Sequence, residues 1–161
     1  MTNKEMSETK KDLNEDVIST LNGLIETCKD GQEGFQSAAE GVKNSQYKQL
    51  FNEYATQRAQ FVSELQAEVT RLGGDPEQSG SVAGALHRGW INIKSVVTGE
   101  DEGAIISECE RGEDAAVKAY EEALKEGLSA DVAPVIERQY HLVRQAHDRI
   151  RGLERVKDAT A

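Results

Sequence analysis

Residues 17–42 read VISTLNGLIETCKDGQEGFQSAAEGV. Apolar and small residues recur in this stretch at steps of three and four positions: Val17, Leu21, Leu24, Cys28, Gly31, Phe35, Ala38 and Val42. Side chains with that spacing lie one above another on the same face of an α-helix. The stretch therefore predicts a long amphipathic helix, from about Leu13 to Lys43, with one buried face.

The same periodicity occurs in three further long segments. They run from about Tyr47 to Leu72, onward from about Asp101, and onward from Ser129 or Asp131. Gly73-Gly74 is typical of a helix C-terminus, and a shorter helix that contains Trp90 is predicted before Gly99. Short, long and short connections are typical of a four-helix bundle with one crossover.

The predicted fold is therefore all-α, a four-helix bundle with one long, partly helical crossover between the second and third long helices. A chain of 161 residues is long enough for one such domain. We expect residues 13–157 to form it, with a mobile N-terminal tail at 1–12 and a C-terminal tail at 158–161.

The composition restricts the partners and the compartment. The formal net charge of −10 opposes binding to nucleic acid or to an anionic membrane surface. The polar N-terminus does not resemble a signal peptide, and no stretch approaches the ~20 apolar residues of a membrane span. The sequence predicts a cytoplasmic protein that binds neither nucleic acid nor membrane.

Four-helix bundles invite one chemical test. A di-iron carboxylate site needs an inward Glu on two helices and a Glu-x-x-His pair on each of the other two. Here the residues three positions before the histidines are Gly84, Arg138 and Arg144. No Glu-x-x-His occurs in the chain, so the sequence excludes a symmetric site of that type.

A degenerate metal site is one alternative. Glu113 and His147 fall on or beside the apolar faces of the third and fourth long helices, and a further carboxylate could come from Glu64 or Glu68. Such a set would suit iron or another divalent metal. Arg58, however, occupies the apolar face of the second helix, where its charge opposes a metal ion.

The sequence therefore favours a structural polar cluster with no cofactor. A buried charge is costly unless it is paired, and Arg58 would pair well with Glu113. The predicted members of this cluster are Gln32, Arg58, Glu113, Gln139 and His147.

Three other features have both a functional and a structural interpretation. His87-Arg88-Gly89-Trp90 could form a binding corner, although Trp90 more simply packs the crossover onto the bundle. Cys28 and Cys109 could form a redox pair, although buried free cysteine usually behaves as a small apolar residue. Gly31 and Gly112 lower helix propensity, so we expect them to allow close helix approach or to accommodate a bulky neighbour.

Four strings, in order, carry a family resemblance: LIETCKDGQEGF, LGGDP, GSVAGALHRGW and ISECERGED. The chain resembles a family of uncharacterised bacterial four-helix-bundle proteins of the ferritin-like superfamily, catalogued as a domain of unknown function. The resemblance implies a ferritin-like bundle without an established activity. The positions that it carries over are Cys28, Gly31, His87, Arg88, Trp90, Glu110, Gly112, Glu113 and His147.

Three hypotheses of function follow. The first is a non-enzymatic, self-associating bundle, with a dimer favoured and a structural or stress-related role. The second is a degenerate ferritin-like protein that binds a metal or small ligand through Glu113 and His147. The third and weakest is a thiol redox sensor that uses Cys28 and Cys109.

Overall fold

A computed structural model of the protein describes residues 2–76 and 89–160. Within these ranges every regular element is a helix: α1 (Asn3–Gly41), α2 (Ser45–Arg71), α3 (Ile93–Thr98), α4 (Glu102–Lys125) and α5 (Ala133–Thr160). The four long helices form a bundle, and the connection from α2 to α4 contains the short α3. The predicted all-α fold with a partly helical crossover is confirmed.

Contacts along the helices define the arrangement. Cys28 of α1 contacts Tyr120 of α4, and Arg58 of α2 pairs with Glu113 of α4. Gly41 at the end of α1 meets Ile105 near the start of α4, whereas Cys28 meets Tyr120 near the end of α4, so these two helices are antiparallel. Along α2, Glu64 pairs with Arg138 and Arg71 pairs with Asp131, so α2 is antiparallel to α5 in the same way. The four long helices therefore follow the ring α1–α2–α5–α4. Helices α2 and α4 therefore face each other across a diagonal of the bundle.

Side-chain caps fix several helix ends. Asn44 Oδ1 accepts hydrogen bonds from Gln46 N and Tyr47 N at the start of α2. Asp101 accepts from the first free backbone N–H groups of α4 in the same way. These residues satisfy donors that have no partner within the helix. At the other end of α2, Gly73 has a φ of 87°, the left-handed conformation that favours glycine after a helix.

The helix bounds differ from the sequence prediction at both termini. Residues 3–12, predicted as a tail, belong to α1 because Thr2 and Glu5 form a capping box that starts the helix there. Residues 158–160, predicted as the C-terminal tail, continue α5 as far as Thr160.

The crossover also differs from its prediction. The sequence pattern placed Trp90 inside a short helix, whereas residues 89–92 are not helical and α3 begins at Ile93. Gly89 has a φ of 86°, and a β-carbon there would lie 2.7 Å from Cα of Gly112. The chain therefore meets the backbone of α4 at a point where only glycine fits.

The core consists of two apolar clusters along the bundle axis. One contains Leu21, Phe61 and Tyr120, and the other contains Phe35, Phe51 and Trp90 among its members. Each long helix passes from one cluster to the other, and the residues at the crossing are Gly31, Arg58, Glu113 and Ala146. This middle layer is where a charged pair replaces apolar packing.

The N-terminal part of α1 extends beyond the core. Leu13 and Met6 are 58% and 52% exposed, and Val17 is the first described side chain of α1 that is buried. Gly74, which follows α2, packs against Ile18, so α1 continues past the end of its antiparallel partner. None of the described helices has both the length and the apolar content needed to cross a membrane.

Candidate functional site

An ion pair occupies the middle layer of the bundle. Arg58 Nη1 and Nη2 donate to Glu113 Oε1 and Oε2 over 2.5 and 2.7 Å. The two side chains are 1% and 0% exposed. A guanidinium and a carboxylate in this bidentate arrangement satisfy each other's charge and geometry. The pair therefore makes a fully buried charge tolerable in the core.

The surroundings of Arg58 are shaped to hold it. A β-carbon at Gly31 would lie 3.3 Å from Arg58 Nη1, so the glycine leaves room for the guanidinium. Arg58 Cζ also lies 5.4 Å from the centroid of the Phe35 ring, within the range of a cation–π contact. Burial acts to lower the pKa of Arg58, but the attraction of Glu113 outweighs it and raises that pKa above its ordinary value.

The pair does not extend to the rest of the predicted polar cluster. The hydrogen bonds that the structure describes for Arg58 and Glu113 do not reach Gln32, Gln139 or His147. Gln32 is half-buried beside Gly31, while the other two residues belong to separate networks. The predicted cluster of five residues is therefore a buried pair with two neighbouring networks.

The first of these networks is a buried chain of hydrogen bonds. Tyr120 Oη donates to Gln139 Oε1 over 2.8 Å, and Gln139 Nε2 donates to Glu64 Oε1 over 3.1 Å. Because the Tyr120 proton is used in this way, the Cys28 thiol is the donor in its 3.2 Å contact with the tyrosine oxygen. Arg138 then pairs with Glu64 near the surface. From Cys28 to Glu64, the chain has one member on each long helix.

The two cysteines are not brought together. Both are free and buried, but Cys28 lies in the cluster with Tyr120 and Cys109 lies in the cluster with Trp90. Burial raises the pKa of the Cys28 thiol from 9.0 to about 11 and raises the pKa of Cys109 well above its ordinary value. Protonated thiols are poor nucleophiles. The arrangement does not fit the predicted thiol pair.

Trp90 is inserted between two helices. A β-carbon at Gly34 of α1 would lie 2.3 Å from Trp90 Cε3, and one at Gly112 of α4 would lie 2.1 Å from Cε2. The ring also makes an edge contact with Phe35, with centroids 5.0 Å apart. Of the predicted binding corner, His87 and Arg88 lie outside the described residues. Trp90 itself is 7% exposed and packs as a core residue.

The second network lies between α4 and α5. His147 Nε2 is 2.5 Å from Asp114 Oδ1, and His147 Nδ1 is 3.1 Å from Asp148 Oδ1. Glu110, one helical turn before Asp114, completes a group whose ligand atoms all lie within 4.8 Å of one another in the described part of the chain. Arg151 pairs with Glu110 across 3.2 Å.

The predicted metal ligands are dispersed by this arrangement. Glu113 is bound to Arg58, Glu64 to Arg138, and Glu68 to Arg71. His147 faces Asp114, which was not among the metal ligands predicted from the sequence. The i, i+4 spacing of Glu110 and Asp114 was the available signal, since it places both carboxylates on one face of α4. That face could be matched to His147 only once the α4–α5 packing was known.

These features define the class of the protein as a ferritin-like four-helix bundle. Residues 16–126 match the model of the domain of unknown function DUF2383, and the chain belongs to that family. It is also similar in fold to a two-domain protein from Anabaena variabilis that contains DJ-1/ThiJ/PfpI-like and ferritin-like domains, with a TM-score of 0.74 and 16% identity. The similarity covers 92% of this chain and 38% of that one. No curated protein matches the chain.

The fold raises the question of a metal centre inside the bundle. The middle layer offers Arg58 and Glu113, and both carboxylate oxygens of Glu113 already accept from the guanidinium. Among the described residues of this layer, a metal ion would face a fixed positive charge and a single carboxylate. The residues of this layer do not fit a ferritin-type metal centre.

Proposed function

We propose that this protein is a non-enzymatic ferritin-like bundle that acts by associating with a second copy of itself. The observation that carries the non-enzymatic part is the Arg58–Glu113 pair, which occupies the middle layer of the bundle. A stress-related role stays a prediction of the family resemblance.

The charge balance of the centre supports a structural role. The ion pair is neutral overall, and its donors and acceptors are directed at each other rather than at an open space. A group that binds or activates a substrate must instead present unsatisfied atoms to it. The middle layer therefore holds two apolar clusters in alignment and leaves its charged groups inaccessible.

The extension of α1 supports self-association. Leu13 lies four positions before Val17, and Met6 lies seven positions before Leu13, so both continue the stripe that is buried further along the helix. A second copy supplies the same stripe, and a two-fold arrangement would bury both stripes against each other. We therefore propose that Met6 and Leu13 of α1 belong to the dimer contact.

The experiment that tests the central role compares Glu113→Ala with the double variant Arg58→Met, Glu113→Leu. Removal of one partner leaves a buried unpaired guanidinium, so Glu113→Ala should lower the free energy of unfolding by about 3–5 kcal/mol. The double variant replaces the pair by apolar groups and should recover most of that loss. Urea denaturation followed by circular dichroism measures both effects.

Glu122→Ala is the matched control, because Glu122 is exposed on the same helix. It should change the stability by less than about 0.5 kcal/mol. A Glu113→Ala protein as stable as the parent would mean that Glu113 does not neutralise Arg58. The proposal of a purely structural centre would then fail.

A further inference from the structure

A group of ligand-type side chains lies away from the middle layer, on the α4–α5 side of the bundle. Glu110 and Asp114 project from one face of α4, and His147 meets them from α5. The side chain of His147 is 8% exposed, that of Glu110 is 17% exposed and that of Asp114 is 48% exposed. The imidazole is therefore buried between the helices, Glu110 is partly exposed, and Asp114 is about half-exposed to solvent. We propose that Glu110, Asp114 and His147 bind one divalent transition-metal ion.

The imidazole is oriented as a metal ligand. Its Nδ1 lies 3.1 Å from Asp148 Oδ1, and its Nε2 is directed towards Asp114. A metal ion at Nε2 would replace the proton that this nitrogen shares with Asp114 in the metal-free protein, while Nδ1–H continues to donate to Asp148. A histidine ligand usually donates its other ring N–H to a carboxylate or carbonyl in this way, which fixes its tautomer and its orientation.

The donor distances fit an ion after small side-chain rotations. Ligand atoms around Zn²⁺ or a similar ion lie about 2.0–2.2 Å from it, and therefore about 3.4 Å from one another in a tetrahedral site. The three donor atoms now lie within 4.8 Å of one another, and His147 Nε2 is only 2.5 Å from Asp114 Oδ1. Binding would open the His147–Asp114 contact and bring Glu110 closer.

The composition of the group indicates the class of ion. One imidazole nitrogen and two carboxylate oxygens suit Zn²⁺, Co²⁺, Fe²⁺ or Mn²⁺ rather than a soft ion that prefers thiolates. Three protein ligands and a half-exposed Asp114 leave a coordination position open to water. The site therefore has the number of protein ligands found in metal sites that keep a fourth position for water or a small ligand.

Arg151 is the group that opposes binding. Its Nε lies 3.2 Å from Glu110 Oε1, so its guanidinium neutralises part of the negative charge of Glu110 that would otherwise attract the ion. The side chain of Arg151 is 53% exposed, and it can move into water when an ion replaces it. Arg144, whose Nε is 4.0 Å from Asp148 Oδ1, faces the outer carboxylate rather than the ligand atoms.

The test uses isothermal titration calorimetry of the metal-free 161-residue chain with Zn²⁺ alone and with Co²⁺ alone. We expect one ion per chain, with affinity at least tenfold weaker in Asp114→Asn and in His147→Gln. Arg151→Gln should bind more tightly than the parent, because it removes the competing cation. Glu122→Gln, which like Asp114→Asn converts a carboxylate of α4 to an amide but at an exposed position away from the cluster, should bind like the parent.

Two outcomes would overturn the proposal. Absence of binding by the folded parent protein would show that the cluster is a set of ion pairs only. Binding that survives in Asp114→Asn and His147→Gln would place the ion elsewhere. If His147→Gln fails to fold by circular dichroism, Asp114→Asn and Arg151→Gln still decide, because both positions are about half-exposed.

Discussion

The indole ring of Trp90 fills the space that a β-carbon at Gly112 would need. A β-carbon built on Gly112 lies 2.1 Å from Cε2 of the ring and 2.4 Å from Cζ2. The contact joins the crossover to α4, and the matching contact with Gly34 joins it to α1. Glycine lowers helix stability at both positions, but because it has no side chain the Trp90 ring can reach the core there.

Gly112→Ala should therefore destabilise the protein although alanine is the better helix former. The ring is rigid and must move, and overpacking of this kind costs about 1–3 kcal/mol. Trp90 is the single tryptophan of the chain, so a shift of its fluorescence emission to longer wavelength should accompany the loss of stability. Thermal denaturation and emission spectra measure the two effects.

Gly23→Ala is the control for that substitution. Gly23 lies within α1, and a β-carbon there meets nothing within 4 Å. It should stabilise the protein by about 0.5–1 kcal/mol through helix propensity alone. Equal effects of the two substitutions would contradict the packing of Trp90 against Gly112.

Tyr120→Phe should cost about 1–3 kcal/mol of stability. The change removes one oxygen atom and leaves two buried groups without their partner, the thiol of Cys28 and Oε1 of Gln139. Chemical denaturation measures the loss. Tyr54→Phe is the comparison, because the Tyr54 hydroxyl lies outside this chain of hydrogen bonds; a similar loss there would remove the argument for a specific network.

The buried thiols predict a loss of stability at alkaline pH. In the unfolded chain the Cys28 thiol ionises near its ordinary pKa of 9.0, whereas in the folded protein burial raises that pKa to about 11. The folded state thus retains a proton that the unfolded state releases between these values. The contribution of Cys28 to stability is complete below pH 9 and is lost as the pH rises to 11, at about 1.4 kcal/mol per pH unit.

Cys109 has its pKa raised in the same direction, so the two thiols act together. Denaturation curves recorded from pH 8 to pH 11 on the parent and on Cys28→Ala, Cys109→Ala should differ in slope, with the double variant less sensitive to pH. Parallel slopes would show that the thiols ionise equally readily in both states.

Leu13→Glu should prevent self-association without changing the fold. The substitution places a charge on the exposed stripe of α1, where each copy would face the other. Sedimentation equilibrium over a range of protein concentrations measures the effect. Val156→Glu introduces the same charge at a comparably exposed apolar residue on the last turns of α5. A parent protein that is monomeric at every concentration would exclude the dimer.

The sequence predicted the bundle because the apolar stripes of the four helices are regular. The pattern around Arg58 also led to the expectation that this residue would pair with Glu113, since both fall on buried faces and an unpaired charge is costly there. The helix ends were less predictable. The start of α1 depends on the Thr2–Glu5 capping box, which adds turns whose single apolar residue, Met6, is too weak a pattern to predict a helix.

The contacts between individual side chains could not be predicted from the sequence. Trp90 interrupts a helical pattern because Gly89 meets the backbone of α4, and that approach is a property of the packed bundle. His147 joins Asp114 rather than Glu113, although adjacent positions on α4 differ by only a fraction of a turn. Periodicity identifies a face, whereas the rotation of one helix against its neighbour selects the residue.

The chain of hydrogen bonds from Cys28 through Tyr120 and Gln139 to Glu64 visits all four long helices in turn. Apolar stripes alone tolerate sliding, because leucine packs almost as well one turn further along. Directional bonds at three successive interfaces allow only one vertical alignment of the helices, and a slip at any interface would strand buried polar atoms. The network therefore selects one vertical alignment of the four helices among several that would bury similar apolar surface.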